Sequence, residues 1–334
     1  MQSALHKVVG PTEVHPDNLV GRTAVVTGGA LGIGYEISRA LAKAGCKVIM
    51  VNRKEEQGQE AISKIKDEYS DADIDWKECD MGNLSQVKSV FSELRDSLDR
   101  LNFLVLSASI NANSYGLDSD GIDRHFGVNY LGQYYATNQL WPLIRKTSLI
   151  PGVLAPRVVT LASEVHRAAP SDTRFENLDE INNSELDPTQ LYGRTKLAQI
   201  LFTKYGLLER VIRPTSDNIF VLSVHPGTPP QVNTNMQEQW KDAYPGITGK
   251  LISSVMQTIG RDVEQGSYVA LWALTAPEIS EKEQNGYYYI DPGKEGKESA
   301  QASNPDLGTA LWKLSESLVK EKLGDDALMD WKSE

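Results

Sequence analysis

The chain has 334 residues, 40% of them hydrophobic, which suffices for one large α/β domain or two small ones around a sizeable core. A formal net charge of −11 argues against a nucleic-acid backbone or an anionic membrane surface as partner, since either favours clustered Lys and Arg. Two cysteines, Cys46 and Cys79, without CxxC spacing and five histidines without an HxxxH or HxH pair argue against a disulfide framework and against a metal site.

No apolar run reaches the roughly 18 residues of a membrane span, so none is expected. The start, Met1-Gln2-Ser3-Ala4-Leu5-His6-Lys7, lacks the build of a signal peptide, and the ending Lys332-Ser333-Glu334 is no known address tripeptide. The expected location is therefore cytoplasmic.

After an extended lead over residues 1–20, β-branched runs alternate with amphipathic stretches. The runs at Thr23–Thr27, Lys47–Val51, Asp73–Lys77, Phe103–Leu106, Arg157–Leu161, Ile219–Val224 and Gly286–Ile290 predict about seven strands. Between them, helices are predicted near 33–45, 55–70, 84–99, 121–147, 192–213 and 262–276. This alternation predicts an α/β fold, a doubly wound, mostly parallel sheet with helices on both faces. Neither a repeat nor a Gly/Ser linker divides it, so residues 21–292 read as a single domain and 293–334 as a tail. In that tail, the apolar spacing of Leu307, Ala310, Leu311, Leu314 and Leu318 predicts a short helix over the substrate side or a neighbour. Residues 164–190 and 228–260 read as insertions, and long loops in compact domains tend to be functional.

The run Thr27-Gly28-Gly29-Ala30-Leu31-Gly32-Ile33-Gly34 joins the first strand to the first helix, where amides and the helix dipole can hold a pyrophosphate. At the end of the second strand, where a carboxylate would bind the ribose hydroxyls of NAD, stand Asn52 and Arg53. A guanidinium there attracts a 2′-phosphate and favours NADP(H) over NAD(H). The bland alternative is a solvated strand-end residue, with Glu55 and Glu56 nearby. Asp80, followed by Met81, either accepts from an adenine amine or caps the next helix near Asn83.

Tyr192 and Lys196 stand four residues apart on a predicted helix, one above the other. A phenol titrates near about 10, and a cation about 4 Å away in an effective dielectric of about 20 can lower it by the roughly 2–3 units that acid–base work near neutrality needs. The same spacing also arises by chance in many helices.

Glycine turn, basic strand end and Tyr-x-x-x-Lys together resemble the short-chain dehydrogenase/reductase family over residues 20–292. Its turn, TGxxxGIG, is matched from Thr27 to Gly34 at every fixed position. The resemblance implies a Rossmann fold and supplies further positions. Val128-Asn129-Tyr130-Leu131-Gly132 resembles VNxxG and implies Asn129 in the active site, and Thr160-Leu161-Ala162-Ser163 supplies the expected Ser163. His225-Pro226-Gly227 matches the Pro-Gly motif, and Thr234 resembles a threonine that contacts the nicotinamide amide.

Two departures stand out. The family's NNAG appears as Leu106-Ser107-Ala108-Ser109, which puts cofactor affinity in doubt, although the Ser107 hydroxyl can still bond nearby backbone. The separation of Ser163 and Tyr192 is longer than in shorter members. A similar insertion marks the retinol-dehydrogenase-like and WW-domain-oxidoreductase-like branch, whose LxNILFT-like sequence is similar to Leu197-Ala198-Gln199-Ile200-Leu201-Phe202-Thr203; fungal natural-product reductases resemble that branch too.

The resemblance implies the catalytic set Asn129, Ser163, Tyr192 and Lys196. Tyr192 would exchange the proton, Lys196 lower its pKa and hold the nicotinamide ribose, Ser163 donate to the carbonyl oxygen, and Asn129 hold a water linking Lys196 to solvent. Beside Asn129, Tyr192 and Lys196, the implied cofactor set is Gly28, Leu31, Gly32, Ile33, Gly34, Asn52, Arg53, Asp80, Met81, Ser107, Pro226, Gly227 and Thr234. The expected activity is NADP(H)-dependent hydride transfer to a ketone or aldehyde, or from a secondary alcohol, of a bulky hydrophobic metabolite in secondary metabolism. Apolar residues from Met236 to Met256 suit a lid over such a molecule, or a helix packed on the core. An NAD-dependent alcohol dehydrogenase and a non-catalytic nucleotide sensor or scaffold are the alternatives. Family members pair through the two long helices near 121–147 and 192–213, which leaves homodimer and homotetramer open.

Overall fold

A computed structural model describes residues 11–111, 113–227 and 262–332. Parallel strands covered on both faces must be apolar almost throughout, and the central ones read from the sequence are, whereas the edge strand β3 is largely polar. The strands are β1 (Thr23–Thr27), β2 (Lys47–Asn52), β3 (Ile74–Glu78), β4 (Phe103–Leu106), β5 (Arg157–Leu161), β6 (Phe220–Val224), β7 (Tyr288–Asp291) and β8 (Lys294–Glu295). They form one eight-stranded sheet in the order β3-β2-β1-β4-β5-β6-β7-β8. All neighbours pair in parallel except β8, which is antiparallel to β7. The strand order reverses direction between β1 and β4, which opens a crevice at their carboxyl ends.

Two helical layers cover the sheet, and successive β1 residues divide between them. Ala24 and Val26 pack with Ile37, Ile65 and Val269, whereas Val25 packs with Phe91, Leu140 and Leu197. The first layer is α1 (Gly32–Lys43), α2 (Glu55–Glu68) and, later in the chain, a helix at Val263–Thr275. The second contains α3 (Leu84–Ser97), α4 (Gly132–Ser148) and α5 (Pro188–Leu201). The helix of the first layer at Val263–Thr275 is α6, and α7 (Pro305–Leu323) follows it in the chain. A π-helical turn, Gly127–Leu131, leads into α4, and α5 runs on as a π-helical segment, Phe202–Ile212. Asp187 starts α5 with a capping box: its side chain accepts from Thr189 N at 2.8 Å while Gln190 Oε1 accepts from Asp187 N at 3.1 Å.

The differences from expectation are local. The eighth strand is two exposed charged residues with no apolar pattern to announce it. The insertion 164–190 holds a 3-10 turn, Glu164–Ala168, and a one-turn helix, Leu178–Ile181, pinned by buried His166, Phe175 and Ile181. The proposed lid over 228–260 lies outside the described residues.

The tail helix is not short. α7 has 19 residues and lies on the π-helical segment and α5, its Trp312 edge-on to Tyr134 with centroids 5.5 Å apart and 5.0 Å from Trp331. Tyr130 Oη and Ser315 Oγ share a hydrogen bond of 2.8 Å across that contact. The carboxyl-terminal segment thus packs on part of the two long helices, because aromatic rings on both sides bury better against each other than in water.

Candidate active site

The turn between β1 and α1 is built for close backbone approach. Gly28 and Gly32 have φ of +66° and +55°, and a Cβ on Gly28 would sit 2.8 Å from Ala108 Cα. A Cβ on Gly34 would run into the Gly28 carbonyl. Leu31, the N-cap of α1, offers no side-chain acceptor, so no cap side chain competes with an external anion for the first-turn amides. Ile33 and Pro226 border Gly266 of α6, where a Cβ would meet Ile33 Cδ1 at 3.1 Å and Pro226 O at 3.4 Å; Gly227 follows with φ +86°. Thr234 lies outside the described residues.

At the end of β2, Asn52 Oδ1 is buried and has no partner among the described residues. A buried amide oxygen without a donor is costly, so it suits a ligand that brings one. Arg53, with its side chain 66% exposed, makes a long 3.7 Å ion pair with Asp80. Such a pair contributes little and leaves the guanidinium free to turn to an anion. Asp80 is not the cap of α3. Asn83 is, accepting from Gln86 N at 3.0 Å, while Asp80 accepts from Gly82 N at 2.9 Å. Met81 is buried, and its main-chain oxygen lies where a Cβ on Gly132 would fall, which brings α4 onto the end of β3.

The altered segment after β4 is held as expected by the Ser107 hydroxyl on nearby backbone, and also by Thr27 and Gln133, whose part sequence reasoning missed. Ser107 Oγ donates to Thr27 O, and Thr27 Oγ1 accepts from Ser107 N at 3.0 Å and Ala108 N at 3.1 Å. Gln133, reaching from α4, accepts from Thr27 Oγ1 at 3.0 Å and donates to Ala108 O at 2.8 Å. Side chains from three elements thereby fix the floor of the crevice without the expected asparagine.

Tyr192 and Lys196 do share one face of α5, and Gly193 lets that face come close to the turn carrying Ser163. A Cβ on Gly193 would lie 2.8 Å from Val165 O. Ser163 Oγ accepts from Val165 N at 3.2 Å, which leaves its own proton for another acceptor. His166 fixes this turn: its Nδ1 contacts Ser163 O at 2.7 Å, and its Nε2 accepts from Ser299 N at 3.1 Å. Burial lowers the His166 pKa.

One expectation needs correction. Lys196 Nζ does not hydrogen-bond the Tyr192 hydroxyl. It lies 5.2 Å from the centroid of the Tyr192 ring and donates to Leu161 O at 2.8 Å and Gln199 Oε1 at 3.1 Å. Burial therefore dominates Tyr192 and raises its pKa, opposed by a hydrogen bond with Ser109, and burial pushes Lys196 down to about 7. Helical spacing gave adjacency but not the acceptors that aim the ammonium.

The Asn129 side chain is turned to the loop after β4. Oδ1 accepts from Ile110 N at 2.7 Å, and Nδ2 donates to Ile110 O at 2.9 Å and Thr195 Oγ1 at 3.2 Å, so the amide clamps the loop after β4. Its main-chain oxygen accepts from Gln199 Nε2 at 2.7 Å. Ser109 and Gln199 could have been suspected only from their positions in the two motifs, since one polar residue carries no pattern.

A glycine cradle, uncapped amides, an orphaned Asn52 oxygen and an exposed Arg53 at the reversal of strand order fit a dinucleotide. Their class is that of α/β enzymes that work on a bound dinucleotide. The family model described as short chain dehydrogenase matches residues 22–153. An oxidoreductase of Neurospora crassa, named as mitochondrial, is 30% identical over 314 residues, 92% of this chain and 73% of that protein. The WW domain-containing oxidoreductase of Gallus gallus is 29% identical over 92% of this chain and 70% of its own length. A short chain dehydrogenase from Escherichia coli, solved in complex with NADPH, shares the fold with a TM-score of 0.58 at 18% identity, over 82% of this chain and 98% of that one. This chain belongs to the short-chain dehydrogenase/reductase family and is an oxidoreductase of the branch that includes the WW-domain oxidoreductases and fungal members. The family uses a nicotinamide cofactor. Among the described residues no helix is long and apolar enough to cross a membrane, and no cluster of His, Cys, Asp and Glu could hold a metal.

Proposed function

We propose that the protein is an NADP(H)-dependent reductase that converts a bulky, hydrophobic ketone or aldehyde to the alcohol, with secondary metabolism as its setting. The observation that carries this reading is the meeting of Tyr192 and Lys196 on α5 with the Ser163 turn, made close by Gly193. The cofactor, when bound, supplies the hydride. Ser163 donates its free proton to the substrate oxygen, and Tyr192 gives up the proton that this oxygen takes as it becomes a hydroxyl. Burial keeps the Tyr192 phenol protonated at neutral pH, which favours the reductive direction. Lys196 offers its remaining N–H to the ribose, and Arg53 recognises the 2′-phosphate. Asn129 holds the loop through Ile110 against α5. The cytoplasm is the proposed compartment, since free buried Cys46 and Cys79 suit reducing surroundings.

The test is Tyr192→Phe with a panel of hydrophobic carbonyl compounds. NADPH should still quench and bind, while NADPH consumption should fall by about 10²-fold or more, since general acid catalysis contributes about 10²–10⁴-fold. Unchanged turnover would overturn the assignment. A sensor without turnover is the weaker reading, because the Thr27–Gln133 network keeps the altered segment in place.

A further inference from the structure

Gln199 follows Lys196 by three residues on α5 and is only 1% exposed. Its amide is divided between two residues of the proposed site. Oε1 accepts from Lys196 Nζ at 3.1 Å, and Nε2 donates to the main-chain oxygen of Asn129 at 2.7 Å. The partners settle which end is which, because an ammonium has only donors and a carbonyl only lone pairs. Lys196 Nζ has a second neutral acceptor in Leu161 O at 2.8 Å. Two of its three N–H groups are thus committed, and the direction of the third follows from them.

We propose that Gln199 is the positioning residue of Lys196, anchoring the ammonium on the β5 side of the Tyr192 ring and tying it by a fixed side chain to Asn129. This rests on the reading of Tyr192 and Lys196 as the acid and its cation. An amide so engaged at both ends has no exchangeable role between proton donor and acceptor, so it sets geometry and charge and does not carry protons. Its acceptor also favours the charged lysine. That matters because Leu161 O and Gln199 Oε1 are neutral and burial alone lowers Lys196. Of the titratable groups on α5 and the elements packed against it, among them Tyr192, Arg194, Arg157, Glu164, His166, Arg167, Asp123, Arg124, His125 and Tyr130, none is a cause of that fall.

The experiment follows NADPH binding by fluorescence across pH 6–9, with no turnover required. Gln199→Met keeps the length and removes both hydrogen bonds; Gln199→Glu restores an acceptor and adds a charge. In the Met variant NADPH affinity at pH 7.5 should fall by about 10-fold, and the pH midpoint of binding should move acid-ward by about one unit, the scale of one hydrogen bond to an ion. In the Glu variant the midpoint should move to higher pH. In a Lys196→Met background Gln199→Met should have no further effect. Equal losses at every pH in the Met and Glu variants, an unmoved midpoint, or additive losses in the Lys196→Met background would overturn the proposal. Should Gln199→Met not fold, the Glu variant's midpoint alone decides. The catalytic reading fails separately, if Tyr192→Phe leaves turnover unchanged.

Discussion

His166 Nδ1 lies 2.7 Å from the main-chain oxygen of Ser163, and because that oxygen can only accept, the ring must carry its proton on Nδ1. Nε2 is then the lone-pair nitrogen, which is what Ser299 N requires at 3.1 Å. The neutral tautomer therefore ties the Ser163 turn to the segment leading into α7. Protonation at Nε2 would set an N–H against an N–H.

A pH dependence follows. Burial holds the folded His166 pKa below its ordinary value, so the unfolded chain binds the proton more readily. The stabilising contribution is complete above about pH 6.5 and is lost as pH falls below it. Asp118, pushed up to about 6 by burial, acts in the opposite sense as pH falls through 6, so the comparison must be between variants. His166→Asn keeps a donor for Ser163 O and loses the Ser299 bond. It should cost about 1–3 kcal/mol at pH 7.5 in urea melts, with that cost shrinking toward pH 5.5. A cost independent of pH would contradict the tautomer assigned here.

Thr27 is the hub of the crevice floor. Replacing it with Val leaves Ser107 N, Ala108 N and Gln133 Oε1 without this partner. We expect a loss of about 2–4 kcal/mol by urea denaturation, since unsatisfied buried groups cost about 1–3 kcal/mol each and some relax onto water. NADPH affinity should fall with it. A Thr27→Ser variant, which retains the hydroxyl, should recover most of both.

What was legible in the sequence and what was not divide along physical lines. Buried parallel strands such as β4 must be apolar on both faces, so they read as unbroken runs. β8 has neither burial nor alternation, and Lys294–Glu295 left no trace. Tyr192, Lys196, Ser163 and Asn129 were visible through spacing and motif, and Tyr192 and Lys196 do share a face. The electrostatics between them were not visible, because i, i+4 spacing says nothing of Leu161 O or Gln199 Oε1. His166, Gln133 and Gln199 are single polar residues without a motif, and it is their partners distant in the chain, Ser299, Thr27 and Asn129, that give them meaning.

Arg53 and Asp80 make the NADP(H) preference testable. Their 3.7 Å pair is exposed on the arginine side, so breaking it costs little stability. Arg53→Asp should lower NADPH affinity by about 10-fold or more, about 1.4 kcal/mol or more, and leave NADH affinity within a few-fold. Titrations of both cofactors at fixed ionic strength read this directly. An unchanged ratio would point to an NAD-dependent alcohol dehydrogenase instead.

Trp312 bears on association. It packs on Tyr134, Phe202 and Trp331, and Arg210 lies 5.7 Å from its ring, so one side chain closes the groove between α4 and the π-helical segment. Gly206 and Gly308 show how close the approach is: a Cβ on Gly206 would meet Trp312 Cε3 at 2.9 Å. Trp312→Ala should cost about 3–5 kcal/mol in thermal or urea unfolding, as large buried aromatics do. With the ring gone, Tyr134 and Phe202 lose their cover, and an exposed aromatic groove favours self-association. Light scattering should therefore show the variant shifting to larger species as concentration rises, beyond any assembly of the parent chain under the same conditions. A variant that is destabilised yet no more associated would mean that Trp331 and Leu311 reclose the groove. The carboxyl-terminal helix would then act as core alone, with no part in keeping copies apart.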